Sequence, residues 1–144
     1  MAKGASWYKR AEKIVNRVNR IFPNPEFKNW KSCEELILSA IVTCEQVNKF
    51  KIETKNAALI LNQTASYLNS KGKYNKTAVM YKKSLDIWSK NLGSNYSLFS
   101  SGLNNLAELY KVQGKYSKAL PLYLSSLTIN KKKQLVIIFL WPLV

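Results

Sequence analysis

Hydrophobic positions recur at spacings of three and four along most of the chain, the signature of helices that each bury one face. The first stripe, Trp7, Ala11, Ile14, Val15, Val18 and Ile21, predicts a helix that Ser6 caps and that Pro23 and Pro25 end, because proline lacks an amide N–H and restricts the residue before it. Ser32-Cys33-Glu34-Glu35 has the form of a capping box for a second helix carrying Leu36, Ile37, Ala40, Ile41, Cys44 and Val47. A third helix is expected from about Asn56 to Ser70 with Gly72 as its stop, and a fourth from Tyr74 to about Asn91, closing at Gly93. A fifth runs from about Ser97 to Val112 and stops at Gly114. The sixth covers Tyr116 to about Asn130, with Pro121 bending rather than breaking it near its first turn.

The helices come in copies. Leu61-Asn62, Ala65, Gly72-Lys73-Tyr74, Lys76, Tyr81 and Ser84-Leu85 return as Leu103-Asn104, Ala107, Gly114-Lys115-Tyr116, Lys118, Tyr123 and Ser126-Leu127, an offset of 42 residues. Periodicity alone would repeat the apolar spacing but not the Gly-Lys-Tyr triplet, and a period of this length means stacked helical hairpins. The expected fold is therefore all-α, a right-handed superhelical solenoid of stacked antiparallel helix pairs. Ala65 and Ala107 are small where two helices approach, and Tyr74 and Tyr116 are expected to cover the turns. Leu61, Leu68, Tyr81 and Leu85 are expected to fill the space between hairpins, since one hairpin cannot bury this face alone.

Stacked hairpins curve, and their first helices line a groove suited to an extended peptide or a partner helix. Asn62 and Asn104 take equivalent groove-facing positions, where a carboxamide both donates and accepts. The same geometry adds Leu59, Ser66 and Asn69 in the first copy, and Ser101, Glu108, Lys111 and Val112 in the second.

Charge alters the picture of the partner. Lys and Arg number 23 against 8 Asp and Glu, a net charge of +15, and beyond Glu53 the only acids are Asp86 and Glu108. Such a field favours acidic partners. Nucleic acid is disfavoured, because the cations are spread along every segment and only Arg10, Arg17 and Arg20 are the arginines that fork onto phosphates and bases.

Catalysis finds no foothold. The chain has no histidine for general-base work, its acids are scattered, and no nucleophile stands beside an activating partner. Cys33 and Cys44 lie about 16 Å apart if they share a helix at 1.5 Å per residue, beyond disulfide reach. Without histidine they form no zinc set, so neither a metal nor any other cofactor is expected. The start of the chain lacks the apolar run of a secretory signal, which fits a reducing cytoplasm.

Leu103-Asn104-Asn105-Leu106-Ala107-Glu108-Leu109-Tyr110 followed by Gly114-Lys115-Tyr116-Ser117-Lys118-Ala119-Leu120-Pro121-Leu122-Tyr123 resembles the tetratricopeptide repeats of the long, kinesin-light-chain-like type. The linker Asn91-Leu92-Gly93 shares that style, and the earlier copy departs from it at Thr64, Thr77 and Ala78. Phe22-Pro23-Asn24-Pro25-Glu26-Phe27-Lys28-Asn29-Trp30, with Cys33-Glu34 and Leu61-Asn62-Gln63, is similar to the segment that opens the repeat array in bacterial signalling ATPases of the NB-ARC, or STAND, class. That resemblance implies a sensing role only. The chain contains no phosphate-cradling glycine loop, and Gly72-Lys73 and Gly114-Lys115 read as helix stops.

Three segments result: a degenerate helical hairpin over 1–55, two hairpins of 42-residue period over 56–130, and a Lys run with an out-of-pattern apolar tail over 131–144. Gln134 to Val144 is too short to span a bilayer. The tail also matches what a one-nucleotide frameshift would make of a third repeat, beside Lys codons prone to slippage. The chain thus reads as a protein-interaction or ligand-sensing segment, a truncated part of a larger signalling protein. Its rivals are a basic nucleic-acid-binding helical domain and a non-functional remnant with a sticky apolar end.

Overall fold

The computed structural model describes residues 2–23, 25, 27–90 and 92–131. The stretch 132–144, with the frameshift reading attached to it, lies outside them. The described residues form six α-helices and one short 3-10 turn: α1 (Ala2–Ile21), the turn Phe27–Asn29, α2 (Trp30–Lys49), α3 (Lys55–Ser70), α4 (Thr77–Ser89), α5 (Leu92–Val112) and α6 (Tyr116–Lys131). The all-α expectation holds. They divide into two compact units that meet in sequence at Lys73 and Tyr74, so α3 shares a unit with α1 and α2.

In the first unit the three helices pack pairwise. The stripe of α1 splits: Ala11, Val15, Val18 and Phe22 are buried, whereas Trp7, Ile14 and Ile21 are about half exposed. Ser6 does not cap the helix. Ala2, Lys3 and Ala5 are strong helix formers, so α1 begins at Ala2 and Ser6 falls inside it. Nor does Ser32 cap α2, because the 3-10 turn runs straight into Trp30 and places Ser32 in the first helical turn; Asn29, the preceding residue, makes no side-chain cap bond. A cap unforeseen in the sequence opens α3, where the Thr54 hydroxyl accepts from the Ala57 amide at 3.1 Å. The Asn56 carboxamide ties α3 to α1, donating to Asn16 at 3.0 Å and accepting from Asn19 at 3.3 Å.

Three helices end in the same left-handed cap. After α3, Gly72 (φ 76°) donates to Asn69 and Lys73 donates to Leu68; after α5, Gly114 (φ 76°) donates to Lys111 and Lys115 donates to Tyr110. These paired bonds satisfy the last helical carbonyls. After α2 the equivalent residue is Lys51 (φ 51°), and Ile52 donates to Val47 at 3.0 Å. Both of those apolar side chains are fully buried, which supplies the hydrophobic contact such caps use.

In the second unit α5 packs against both α4 and α6. It meets α4 closely at Gly102, where an added Cβ would lie 2.9 Å from Leu85 Cδ2 and 3.0 Å from the Trp88 ring. It is joined to α6 by the buried hydroxyls of Ser100 and Ser126, 2.9 Å apart, and by a bond from the Ser126 hydroxyl to the Ser100 carbonyl at 3.1 Å. Gly93 is not the stop expected of it. The α4 helix already closes at Ser89, Lys90 N–H bonding Ile87 O, and Gly93 belongs to α5, which starts five residues ahead of Ser97. Pro121 lies within α6.

Candidate functional site

On α5, Ser101, Asn104, Glu108 and Lys111 follow one another at steps of three, four and three residues, which puts them on one face. All four are exposed, while Phe99, Leu103, Leu106, Ala107 and Leu109 are buried on the other side. Val112, at the end of the helix, is exposed too.

Glu108 is the electrostatic centre of this face. It accepts the Tyr123 hydroxyl at 2.6 Å and the Lys111 ammonium at 3.2 and 3.3 Å. The Tyr123 hydrogen bond, followed by Lys111, holds the Glu108 carboxyl below its ordinary range, with partial burial acting against them. Burial and the adjoining Glu108 push the Tyr123 phenol up to about 12. The Lys111 charge is thus answered within the face itself. Two further cations, Lys82 and Lys118, stand over the Tyr110 ring at 5.9 and 5.6 Å.

The α3 copy has the same spacing and a different accessibility. Asn62 is buried, with 8% of its surface exposed, and Leu59, Ser66 and Asn69 are half-buried. The side-chain oxygens of Gln63 and Asn69 are buried and accept no hydrogen bond from the described residues. Where α5 has Glu108, the 42-residue offset gives α3 Ser66, so the first copy has no carboxylate there. No spacing rule could single out the contact from Tyr123 to Glu108, since Tyr81, its counterpart, is fully buried.

Among the repeat positions, Leu61, Ala65, Tyr81, Leu103 and Ala107 are buried, and Tyr74 and Tyr123 half-buried. Tyr116 departs from expectation: it is 68% exposed and does not cover its turn. The two copies enter their second helices differently. Thr77 bonds the Tyr74 carbonyl through its hydroxyl at 3.0 Å and delays α4 to Thr77, whereas its counterpart Ala119 donates helically to Lys115 and α6 begins at Tyr116.

Cys33 and Cys44 are both buried free thiols on α2. Burial pushes both upward, Cys44 to about 11. Among the described residues no group of three or more potential ligands could hold a metal ion, and no helix is long and apolar enough to cross a membrane.

The sequence pattern of the tetratricopeptide repeat matches residues 56–132, more than half of the chain. The chain belongs to the tetratricopeptide repeat family. Such repeats generally mediate protein–protein interaction and are typically scaffolds rather than enzymes. No curated protein and no solved structure matches the chain.

Proposed function

We propose that this chain is a protein-binding segment whose recognition surface lies on α5, the first helix of the second repeat. The observation that carries the reading is the exposed polar row Ser101, Asn104, Glu108 and Lys111 against a buried side that is apolar apart from Ser100. A helix stabilised by burial needs only a solvated outer face; one with an Asn carboxamide beside an ordered Glu–Tyr–Lys cluster offers fixed donors and acceptors to a peptide backbone. The partner is a peptide or partner helix, and the net charge of +15 favours an acidic one.

The resemblance to kinesin-light-chain-like repeats and to the sensor arrays of NB-ARC signalling ATPases supports a sensing role within a larger cytoplasmic signalling protein. No enzyme activity is proposed. Selection from a displayed peptide library, followed by titration of the selected peptides against the wild-type chain and Asn104→Ala, tests the reading. Loss of binding in the variant is expected. Binding of short DNA or RNA that falls steeply with salt, with no peptide selected, would instead favour the nucleic-acid rival.

A further inference from the structure

Apart from the α5 face, the first unit carries a groove of about 470 Å³ between α1 and the C-terminal end of α2. Its apolar lining includes Trp7, Ala11, Ile14 and Phe50, and its cations are Arg10 and Lys49. Trp7 and Ile14 remain 54% and 48% exposed, and Ile21, 53% exposed, continues their row along α1 at the same seven-residue step. Trp7 to Ile21 spans about 21 Å at 1.5 Å per residue. Among the described residues that line the groove there is no carboxylate.

The cations are set against the apolar floor. Arg10 lies over the Trp7 ring at 5.2 Å and Lys49 over the Phe50 ring at 5.5 Å. Arg17 extends the basic edge one heptad beyond Arg10, and Lys13 lies between them, exposed. Glu12, the acid of this helix, points to the other side: at about 100° per residue it sits roughly 140° around from Trp7.

From this juxtaposition we infer that the groove is a docking site for an acidic amphipathic helix, its apolar side chains seated on Trp7, Ile14 and Phe50 and its carboxylates on Arg10 and Lys49. A helix of about four turns matches the length of the row. An apolar stripe entering a groove is a recurring mode of peptide recognition, and aromatic and Arg side chains are the types that dominate such interfaces. The groove is lined from two helices, α1 and α2, which suits a helix entering between them, and binding to an anionic lipid surface alone is the outcome that counts against this occupant. A second copy of the chain is disfavoured as occupant by its own net charge of +15.

The test uses the full chain and a fluorescently labelled alanine-based peptide of about four turns, with leucine along one face and glutamate on both flanks of it. Fluorescence anisotropy should show saturable binding that weakens with added salt. Trp7→Ala and Arg10→Glu should each weaken it about tenfold or more, while Lys115→Glu, an equal charge change in the other unit, leaves it intact. Circular dichroism establishes that each variant folds, as expected for half-exposed positions. The same peptide with lysine for glutamate should not bind. The inference is overturned if the acidic peptide fails to bind, if Lys115→Glu weakens binding as much as Arg10→Glu does, or if only anionic phosphatidylserine vesicles bind and Trp7→Ala abolishes that.

Discussion

Replacing Gly114 by alanine isolates one physical quantity. Gly114 has φ 76°, and a Cβ built on it meets nothing within 4 Å, so the substitution adds no clash and only forces an L residue into the left-handed region. That conformation costs about 1–2 kcal/mol, offset by roughly 0.4–1 kcal/mol because alanine has less unfolded-state freedom to lose. A net loss of about 1 kcal/mol is expected. Gly72, with the same φ and the same open surroundings, should lose as much. Asparagine tolerates the left-handed region, so Gly114→Asn should recover part of the loss. Lys51 gives the reverse case: it already sits at φ 51°, and Lys51→Gly should gain about 0.5–1 kcal/mol. Guanidinium unfolding followed by circular dichroism measures all four, read as midpoint shifts at unchanged slope. If Gly114→Ala matches the wild type, or Gly114→Asn is as poor as alanine, backbone conformation is not what these glycines contribute. A Lys51→Gly variant less stable than the wild type would refute the same reasoning from the other direction.

Four further outcomes are expected. Gly102→Ala should destabilise by up to about 2 kcal/mol, overpacking against Leu85 and Trp88 outweighing the gain in helix propensity, and should cost less in a Leu85→Ala background, as a double-mutant cycle in urea would show. Ser100→Ala and Ser126→Ala should each cost about 1 kcal/mol, and the double variant less than their sum, because both remove the same hydroxyl–hydroxyl contact while the surviving hydroxyl keeps a backbone carbonyl of the facing helix as acceptor. Glu108 is held below its ordinary 4.5 first by Tyr123, so its contribution is present above that value and disappears as pH falls through the lowered one. Tyr123→Phe should therefore flatten the acid limb of a plot of urea midpoint against pH. Cys44, pushed up to about 11, should resist a thiol reagent at about pH 8 in the folded chain and react freely in urea; rapid labelling of folded protein would contradict its burial.

The repeat was legible because backbone and core demands are written in residue type. Gly72 and Gly114 announce their caps, and both copies keep Leu61, Ala65, Leu103 and Ala107 buried. The cap after α2 left no such trace, since lysine occupies the left-handed position. Helix starts are ambiguous in the sequence for a related reason. Ser6 and Ser32 are competent caps in sequence, yet the chain around them continues as helix or as a 3-10 turn. Hydropathy also hides much of the core. Thr43, Thr77, Ser84 and Ser125 are buried polar residues whose hydroxyls bond a carbonyl three or four residues back, at Ser39, Tyr74, Tyr81 and Pro121, and so need no partner from another element.

Side-chain chemistry on the outer faces follows a looser rule than the core beneath it. The period of 42 places Asn62 opposite Asn104 in sequence, yet one is buried and the other exposed, because accessibility is set by what packs over a helix rather than by its own spacing. It likewise places Ser66 where α5 has Glu108 and a fully buried Tyr81 where α6 has Tyr123. The change from serine to Glu108 supplies a carboxylate, and the phenol common to both copies, fully buried as Tyr81, lies within 2.6 Å of it as Tyr123. Duplication thus preserves the residues that hold a hairpin together and frees the outward ones to diverge. For that reason the exposed row on α5, with its ordered Glu108, is the stronger candidate for recognition than the more enclosed row on α3. Substitutions at Asn104 and Glu108 should accordingly alter partner choice while leaving unfolding midpoints nearly unchanged, whereas those at Leu103 and Ala107 should do the reverse.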